Sequence, residues 1–373
     1  MKKSLVALAV LSSVVGVAQA ASSVTLYGRV DIGYEKVSGS GSVVQERVNV
    51  FTGAGRSNSG NTRLGLRGEE DLGNGMAATF RLEGRFDTDT GSKDSSRTFF
   101  DRESTVGLKF GSGVHHVRFG RSISAFEQGI SDIDIGNRFS AYSVYNENWG
   151  VATRHSNAMF YNFSKGPFSA GFDVTTKGGY NDGVSTAEGA PDSKVGWAAF
   201  AQYKANGLKV ALAYQDDGAV DKSYSAAKAT SGTTTLSSLA SATIRKEWGI
   251  GASYEFKPVI VGLSYAQGKD DRANGESKVR NYGMYIKGDL TATDSLMALY
   301  RREDLKSTVV GTSSVASYKD QVTRYGLGYV HKFSKRTSVY ADISRTKYDA
   351  SKSSSYSYSK SFTGYDIALR HFF

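Results

Sequence analysis

From Val24 to Tyr34 the chain alternates. Val24, Leu26, Gly28, Val30, Ile32 and Tyr34 share one face; Thr25, Tyr27, Arg29, Asp31 and Gly33 share the other. A period of two with one apolar side marks a β-strand wet on one face only. The pattern recurs: Leu64 and Leu66 against Arg63 and Arg67, then Phe80, Leu82 and Phe86 against Arg81, Glu83 and Arg85. Leu208, Val210, Leu212 and Tyr214 form another apolar face, Trp248 to Phe256 the next, then Val259 to Tyr265 and Tyr325 to Phe333. The chain ends inside such a strand, with Tyr365, Ile367, Leu369 and Phe373 on one side.

Two classes of connection separate these runs. One is short and rich in turn residues: Gly73-Asn74-Gly75, Gly111-Ser112-Gly113, Lys165-Gly166-Pro167, Asn206-Gly207, Lys257-Pro258, Thr291-Ala292-Thr293 and Ser334-Lys335. The other is long and polar, near 36–60, 88–101, 122–153, 177–193, 217–244, 269–278, 304–320 and 348–361. The classes alternate, giving about sixteen strands, seven short turns and eight long loops. An even-stranded antiparallel barrel with both termini on the short-turn side has this bookkeeping. The non-apolar faces carry Arg, Glu, Asp, Gly and Ser, unsuited to a small dry core. A barrel this wide holds water, so the apolar face meets lipid. The expected fold is all-β: a transmembrane antiparallel β-barrel.

Composition fits. Three prolines and no cysteine suit a chain that is mostly ladder and has no thiolate chemistry. Beyond the N-terminus no apolar run is long enough for a membrane helix, as expected of strands that show lipid only alternate residues. Met1-Lys2-Lys3, the apolar run Leu5 to Val17 and Ala18-Gln19-Ala20 read as a signal peptide over residues 1–20, leaving 21–373 as one barrel domain. Loss of Lys2 and Lys3 lowers the formal charge from +10 to +8.

One long segment, Ser122 to Thr153, lacks sustained alternation and mixes Glu127, Asp132 and Asp134 with Arg138 and the aromatics Phe126, Phe139, Tyr142, Tyr145 and Trp149. A loop of this length in a compact chain is functional or disordered, and aromatics need a surface to pack on. The expectation is that this third long loop folds into the lumen and sets the width and charge of a pore.

Val24-Thr25-Leu26-Tyr27-Gly28-Arg29 after the Ala-Gln-Ala site, Arg63-Leu64-Gly65-Leu66-Arg67-Gly68 running on to Asn74-Gly75, and the ending Leu369-Arg370-His371-x-Phe373 resemble the general porins of Gram-negative bacteria, especially β-proteobacterial ones. The resemblance covers the mature chain. It implies an outer-membrane homotrimer of sixteen-stranded barrels, an inward third loop, and a terminal Phe373 read by the outer-membrane assembly machinery. It also places eyelet bases at Arg29, Arg63 and Arg102. Parity supports the first two as lumenal and adds Arg81 and Arg118; it turns Arg102 outward unless the strand carries a bulge or the true parity is the other one. Where enterobacterial relatives have Pro-Glu-Phe near the loop tip, this chain has Asn137-Arg138-Phe139. Fewer acids against the same bases make the constriction positive, so anion preference is expected.

Other chemistry is poorly supplied. Asp132 and Asp134 are too few oxygens for Ca²⁺. His115 and His116 point to opposite faces. No Gly-x-Ser-x-Gly elbow or phosphate loop appears. No cofactor, no metal and no catalysis are expected. The positive charge is dispersed along an exported barrel, which argues against nucleic acid and for contact with outer-membrane lipid and lipopolysaccharide phosphates. The expected function is passive diffusion of small ions and hydrophilic solutes. A substrate-selective channel, or a barrel adhesin or enzyme, is the alternative.

Overall fold

The computed structural model describes residues 23–39, 47–52, 62–93, 98–131, 133, 153–176, 195–218, 223–225, 241–270, 275–310, 315–352 and 356–373, and among these residues nineteen strands and one short helix form. In chain order the first strands are β1 (Ser23–Gly39), β2 (Arg47–Thr52), β3 (Arg63–Gly73), β4 (Met76–Arg85), β5 (Glu103–Phe110) and β6 (His115–Ile123). The helix α1 (Ala125–Ser131) follows, then β7 (Arg154–Lys165), β8 (Phe168–Thr175), β9 (Trp197–Ala205) and β10 (Leu208–Asp216). A small separate hairpin, β11 (Ser223–Ser225) and β12 (Ser241–Thr243), precedes β13 (Lys246–Phe256), β14 (Val259–Asp270) and β15 (Gly275–Asp289). The chain closes with β16 (Asp294–Val310), β17 (Val315–Lys332), β18 (Thr337–Lys352) and β19 (Tyr356–Phe372).

Seventeen of these strands form one antiparallel sheet that closes on itself through β1 and β19. They fill sixteen barrel positions, because β2 and β3 share one: β2 pairs the upper part of β1 and β3 the lower part. Closure removes the sheet edges. At the seam Gly28 and Phe373 exchange both backbone hydrogen bonds, at 3.1 and 3.2 Å. Inside the barrel Arg370 Nε donates to Asp31 Oδ2 at 2.9 Å and Tyr340 Oη donates to Asp31 Oδ1 at 2.7 Å, binding the last strands to the first.

The apolar face points outward, as alternation requires: Leu64, Leu66, Val106, Leu108, Phe119, Leu212, Ile250, Leu263, Met284 and Leu327 are all exposed. Ring pairs such as Trp197–Tyr214, Trp248–Tyr265, Tyr265–Tyr282 and Tyr300–Tyr325, with centroids 5.0–5.4 Å apart, form a girdle above this band.

Two expectations need correction. The segments expected as long loops near 269–278, 304–320 and 348–361 are strand at every described residue, because β14 to β19 extend into them. Above the lipid band the outward face becomes Lys, Arg, Ser, Thr and Asp, so it no longer reads as an apolar stripe while the ladder continues. Nor is the inward face polar everywhere. Phe126 and Ile130 of α1 lie in a buried cluster with Ala198, Phe200, Ala213 and Ala266, extended by Ile244, Val279, Leu305, Val322 and Tyr348.

Candidate functional site: the inward loop and the basic wall

The third long loop leaves β6 at a bulge between Gly120 and Ser122 and enters the lumen as α1. Ser124 caps the helix: its Oγ accepts Glu127 N–H at 3.2 Å and its carbonyl accepts Gln128 N–H at 2.9 Å. Asp173 of β8 holds the same end, with Oδ2 accepting Ala125 N–H at 2.5 Å and Oδ1 accepting His155 Nδ1–H. His155 is fully buried, and its Nε2 lies 3.4 Å from Asp217 Oδ1. This His–Asp clamp fixes where the loop leaves the wall.

The wall under α1 is made of small residues. Gly249, Gly251, Ala198, Ala213 and Ala266 leave a depression into which Phe126, Ile130 and Ile133 settle. A Cβ on Gly251 would stand 2.8 Å from Ile133 Cγ2, so only glycine admits this approach. Burial of three such side chains contributes about 1.5–3 kcal/mol each.

Across the lumen from this depression, β3 to β6 carry the bases. Glu83 is the hub. Its Oε1 accepts from Arg102 Nε. Its Oε2 accepts from Tyr27 Oη at 2.8 Å and Arg81 Nη2 at 3.1 Å, with Arg63 Nε 3.7 Å away. Tyr27 Oη in turn accepts from Arg81 Nε at 2.8 Å. Glu103, opposite Glu83 in register, takes Arg81 Nη1 at 3.3 Å and Arg118 Nη1 at 2.9 Å. Four arginines therefore share two glutamates. Arg81 is the most open of them, with its side chain 42% exposed.

The expected bases have distinct placements. Arg63, Arg81 and Arg102 converge on Glu83. Arg102 does so without a strand bulge: it precedes β5, its N–H bonds Glu83 O at 3.1 Å, and strand parity starts one residue later. Arg118 ties wall to loop, because its Nη2 donates to Asn162 Oδ1 at 3.0 Å and Asn162 Nδ2 donates to Gln128 Oε1 of α1 at 3.0 Å. Arg29 stands opposite Arg63 in the β1–β3 register, but its side chain is buried at the seam beside Asp31 and Arg370, with its guanidinium 5.8 Å from the Phe372 ring centroid. Glu127 is buried on α1 within electrostatic reach of Arg301, so it belongs to the loop's anchorage. Asp132, Asp134 and Arg138 lie outside the described residues, as do the leader 1–20 and the loop-tip aromatics.

Sequence reasoning missed Glu103, Asp101 and the clamp. Parity alone places Glu103 inward beside Thr105 and Gly107, and Asp101 pairs Arg85 at 3.0 Å. His155, Asp173 and Asp217 come from three separate segments, and no spacing links them.

A closed sixteen-stranded barrel with apolar outer face, short turns at one end and a loop folded into a charged lumen is an outer-membrane porin, a channel rather than an enzyme. The Gram-negative porin family model matches residues 7–351, and the chain belongs to that family. An outer membrane porin protein of Bordetella pertussis is 29% identical, covering 91% of this chain and 93% of that protein. Outer membrane porin protein 32 of Delftia acidovorans is 31% identical over 93% of this chain and 90% of its own. Among solved structures, the anion-selective porin from Comamonas acidovorans superposes with a TM-score of 0.68 at 26% identity, covering 94% of this chain and all (100%) of that one. OmpT of Vibrio cholerae, in trimer form, gives 0.62 at 14% identity over 95% of this chain and 100% of its own.

Proposed function

We propose that this porin prefers anions and that the wall group Arg63, Arg81, Arg102 and Arg118 forms the basic side of its constriction. The observation that carries the reading is the count of charges in this group: four arginines against Glu83 and Glu103 leave a positive surplus on this stretch of the wall. In a narrow passage with low-dielectric walls such a surplus concentrates counter-ions. The Comamonas acidovorans porin is an anion-selective one, which agrees with the charge count. Arg138 on the inward loop would add to the surplus and Asp132 and Asp134 would offset it. Residues 1–20 serve as the cleaved leader. The barrel assembles as a homotrimer, and Phe373, paired to Gly28, is the residue the assembly machinery reads.

The test is the reversal potential of the purified protein in a planar bilayer under a KCl gradient. Chloride-selective reversal supports the proposal. Cation-selective reversal leaves the porin standing and removes this charge map.

A further inference from the structure

One tyrosine is held flat against the lumenal wall. Tyr27 stands opposite Gly65 in the β1–β3 register, and Gly65 stands opposite Glu83 in the β3–β4 register. The ring reaches across Gly65: a Cβ there would come 2.5 Å from Tyr27 Cζ and 2.6 Å from its Oη, so only glycine lets the ring lie on the strand. The far end is tied twice. Tyr27 Oη donates to Glu83 Oε2 at 2.8 Å and accepts from Arg81 Nε at 2.8 Å. The side chain is half-buried, so part of it faces the lumen.

Two guanidinium groups border the ring. Arg67 and Arg81 face each other in the β3–β4 register, and the Cζ of each lies 5.3 Å from the Tyr27 ring centroid. That distance is a cation–π contact. The two arginines differ in company. Arg81 is shared between Glu83 and Glu103. Arg67 is exposed and has no ion-pair partner among the described residues. Glu69, the next lumenal acid along β3, is held by Lys109. Like charges directly opposite each other destabilise a sheet, so this pair carries repulsion that an anion would remove. β3 runs towards the short turns and β4 away from them. Arg67 and Arg81 therefore lie one tier below Glu83. An anion moving from the long-loop end meets the Arg63–Arg102 tier first and this platform next.

We propose that Arg67, Tyr27 and Arg81 form a subsite for aromatic carboxylates, with the carboxylate on the two guanidinium groups and the solute's ring stacked on the Tyr27–Arg67 surface. The subsite rests on the anion preference proposed above and names a solute class for it. Guanidinium N–H pairs match the two oxygens of a carboxylate. A small inorganic anion would satisfy that part alone, so the selection lies in the ring. Aromatic faces stack on tyrosine and on guanidinium planes, whereas a saturated ring of similar size gains contact area only. Gly65 and the two Oη hydrogen bonds fix the platform before a solute arrives, which lowers the ordering cost of binding. One stacked ring and one exposed carboxylate contact hold a solute weakly enough for release, as conduction requires.

The test is the single-channel KCl current of the purified porin at neutral pH, with benzoate or cyclohexanecarboxylate added at rising concentration. The two acids carry the same charge, are similar in size and differ in the π face. Stacking is worth about fivefold in affinity, so benzoate should half-block the current at about one-fifth of the concentration that cyclohexanecarboxylate needs. This comparison uses the wild type and depends on no variant folding. Arg67→Gln should raise both half-block concentrations about tenfold, the worth of a charge-assisted hydrogen bond. Tyr27→Leu should bring the benzoate advantage below about twofold. Tyr27→Phe keeps the ring and should retain the advantage. Equal block by the two acids, unchanged block in Arg67→Gln, or a benzoate advantage that survives Tyr27→Leu would each overturn the subsite. The KCl reversal potential is read on the same membranes. Chloride-selective reversal with equal block removes the subsite and leaves the charge map; cation-selective reversal with the benzoate advantage intact removes the charge map and leaves the subsite.

Discussion

Arg81 and Glu83 sit two residues apart on β4 and offer opposite perturbations of one charge group. Arg81→Gln removes one positive charge from the arginine–glutamate cluster. Glu83→Gln removes one negative charge and keeps the side chain's shape. A unit charge about 6 Å from a permeating ion is worth about 0.7 kcal/mol in water, reduced to about 0.4 kcal/mol by 0.1 M salt. That changes local anion occupancy about twofold and cation occupancy about twofold the other way. The chloride-to-potassium permeability ratio should therefore fall about fourfold in Arg81→Gln and rise about fourfold in Glu83→Gln. Glu83→Gln has a second consequence, because Arg63, Arg81 and Arg102 lose their shared partner. Breaking a buried ion pair costs about 3–5 kcal/mol. Arg81 keeps Glu103 and is well solvated, so about 2 kcal/mol of barrel stability is the expected loss. The assays are the KCl reversal potential and guanidinium unfolding in detergent. An unchanged ratio in Arg81→Gln, or a shift towards cations in Glu83→Gln, would refute the reasoning: the ions would then be passing somewhere other than this wall.

Three further outcomes follow from the loop anchorage and the seam. Asp173→Asn weakens both the His155 contact and the Ala125 N–H bond, so we expect a loss of about 3 kcal/mol and a noisier open channel; quiet single-channel records would count against the clamp. Phe126→Ala empties a buried site and should cost about 3–4 kcal/mol in guanidinium unfolding, with conductance altered because α1 is reseated. Gly28→Val puts side-chain atoms where the Phe373 ring lies, so the variant should accumulate as unfolded, heat-unmodifiable protein on gels, whereas Val30→Ile, on the outward face of the same strand, should assemble normally.

The lipid-spanning part of the barrel is legible because lipid enforces alternation. Every second residue must be apolar, and Leu64–Leu66, Val259–Tyr265 and Tyr325–Phe333 report their strands directly. Above the lipid nothing enforces the pattern. Val315 to Gln321 is strand although its outward positions are Ser317 and Lys319, so its ladder is invisible to hydropathy. The wall bases were legible through parity, which needs only the strand. Their partners were not: Arg102 breaks parity by preceding its strand, and its contact with Glu83 depends on the register of β4 against β5. Glu127 read as a loop acid facing the pore. It is instead the acid of a Ser124–Glu127 helix start, and the helix carries it to the wall.

Where α1 is seated is decided as much by the bare wall as by the loop. The bases occupy β3 to β6, and the glycines and alanines occupy β8 to β14 opposite. A barrel of sixteen strands with bulky inward residues all round would have no dry surface for Phe126 and Ile130, and the loop would stand in water. Small residues on one side create the depression. The apolar face of α1 fills it, the Asp173–His155 clamp fixes the entry point, and Arg118 through Asn162 and Gln128 draws the other side of the helix to the basic wall. The loop is thereby held from both sides of the lumen. The same arginine set thus serves position and charge together. A substitution at Arg118 should change conductance through loop placement, and one at Arg81 through charge alone.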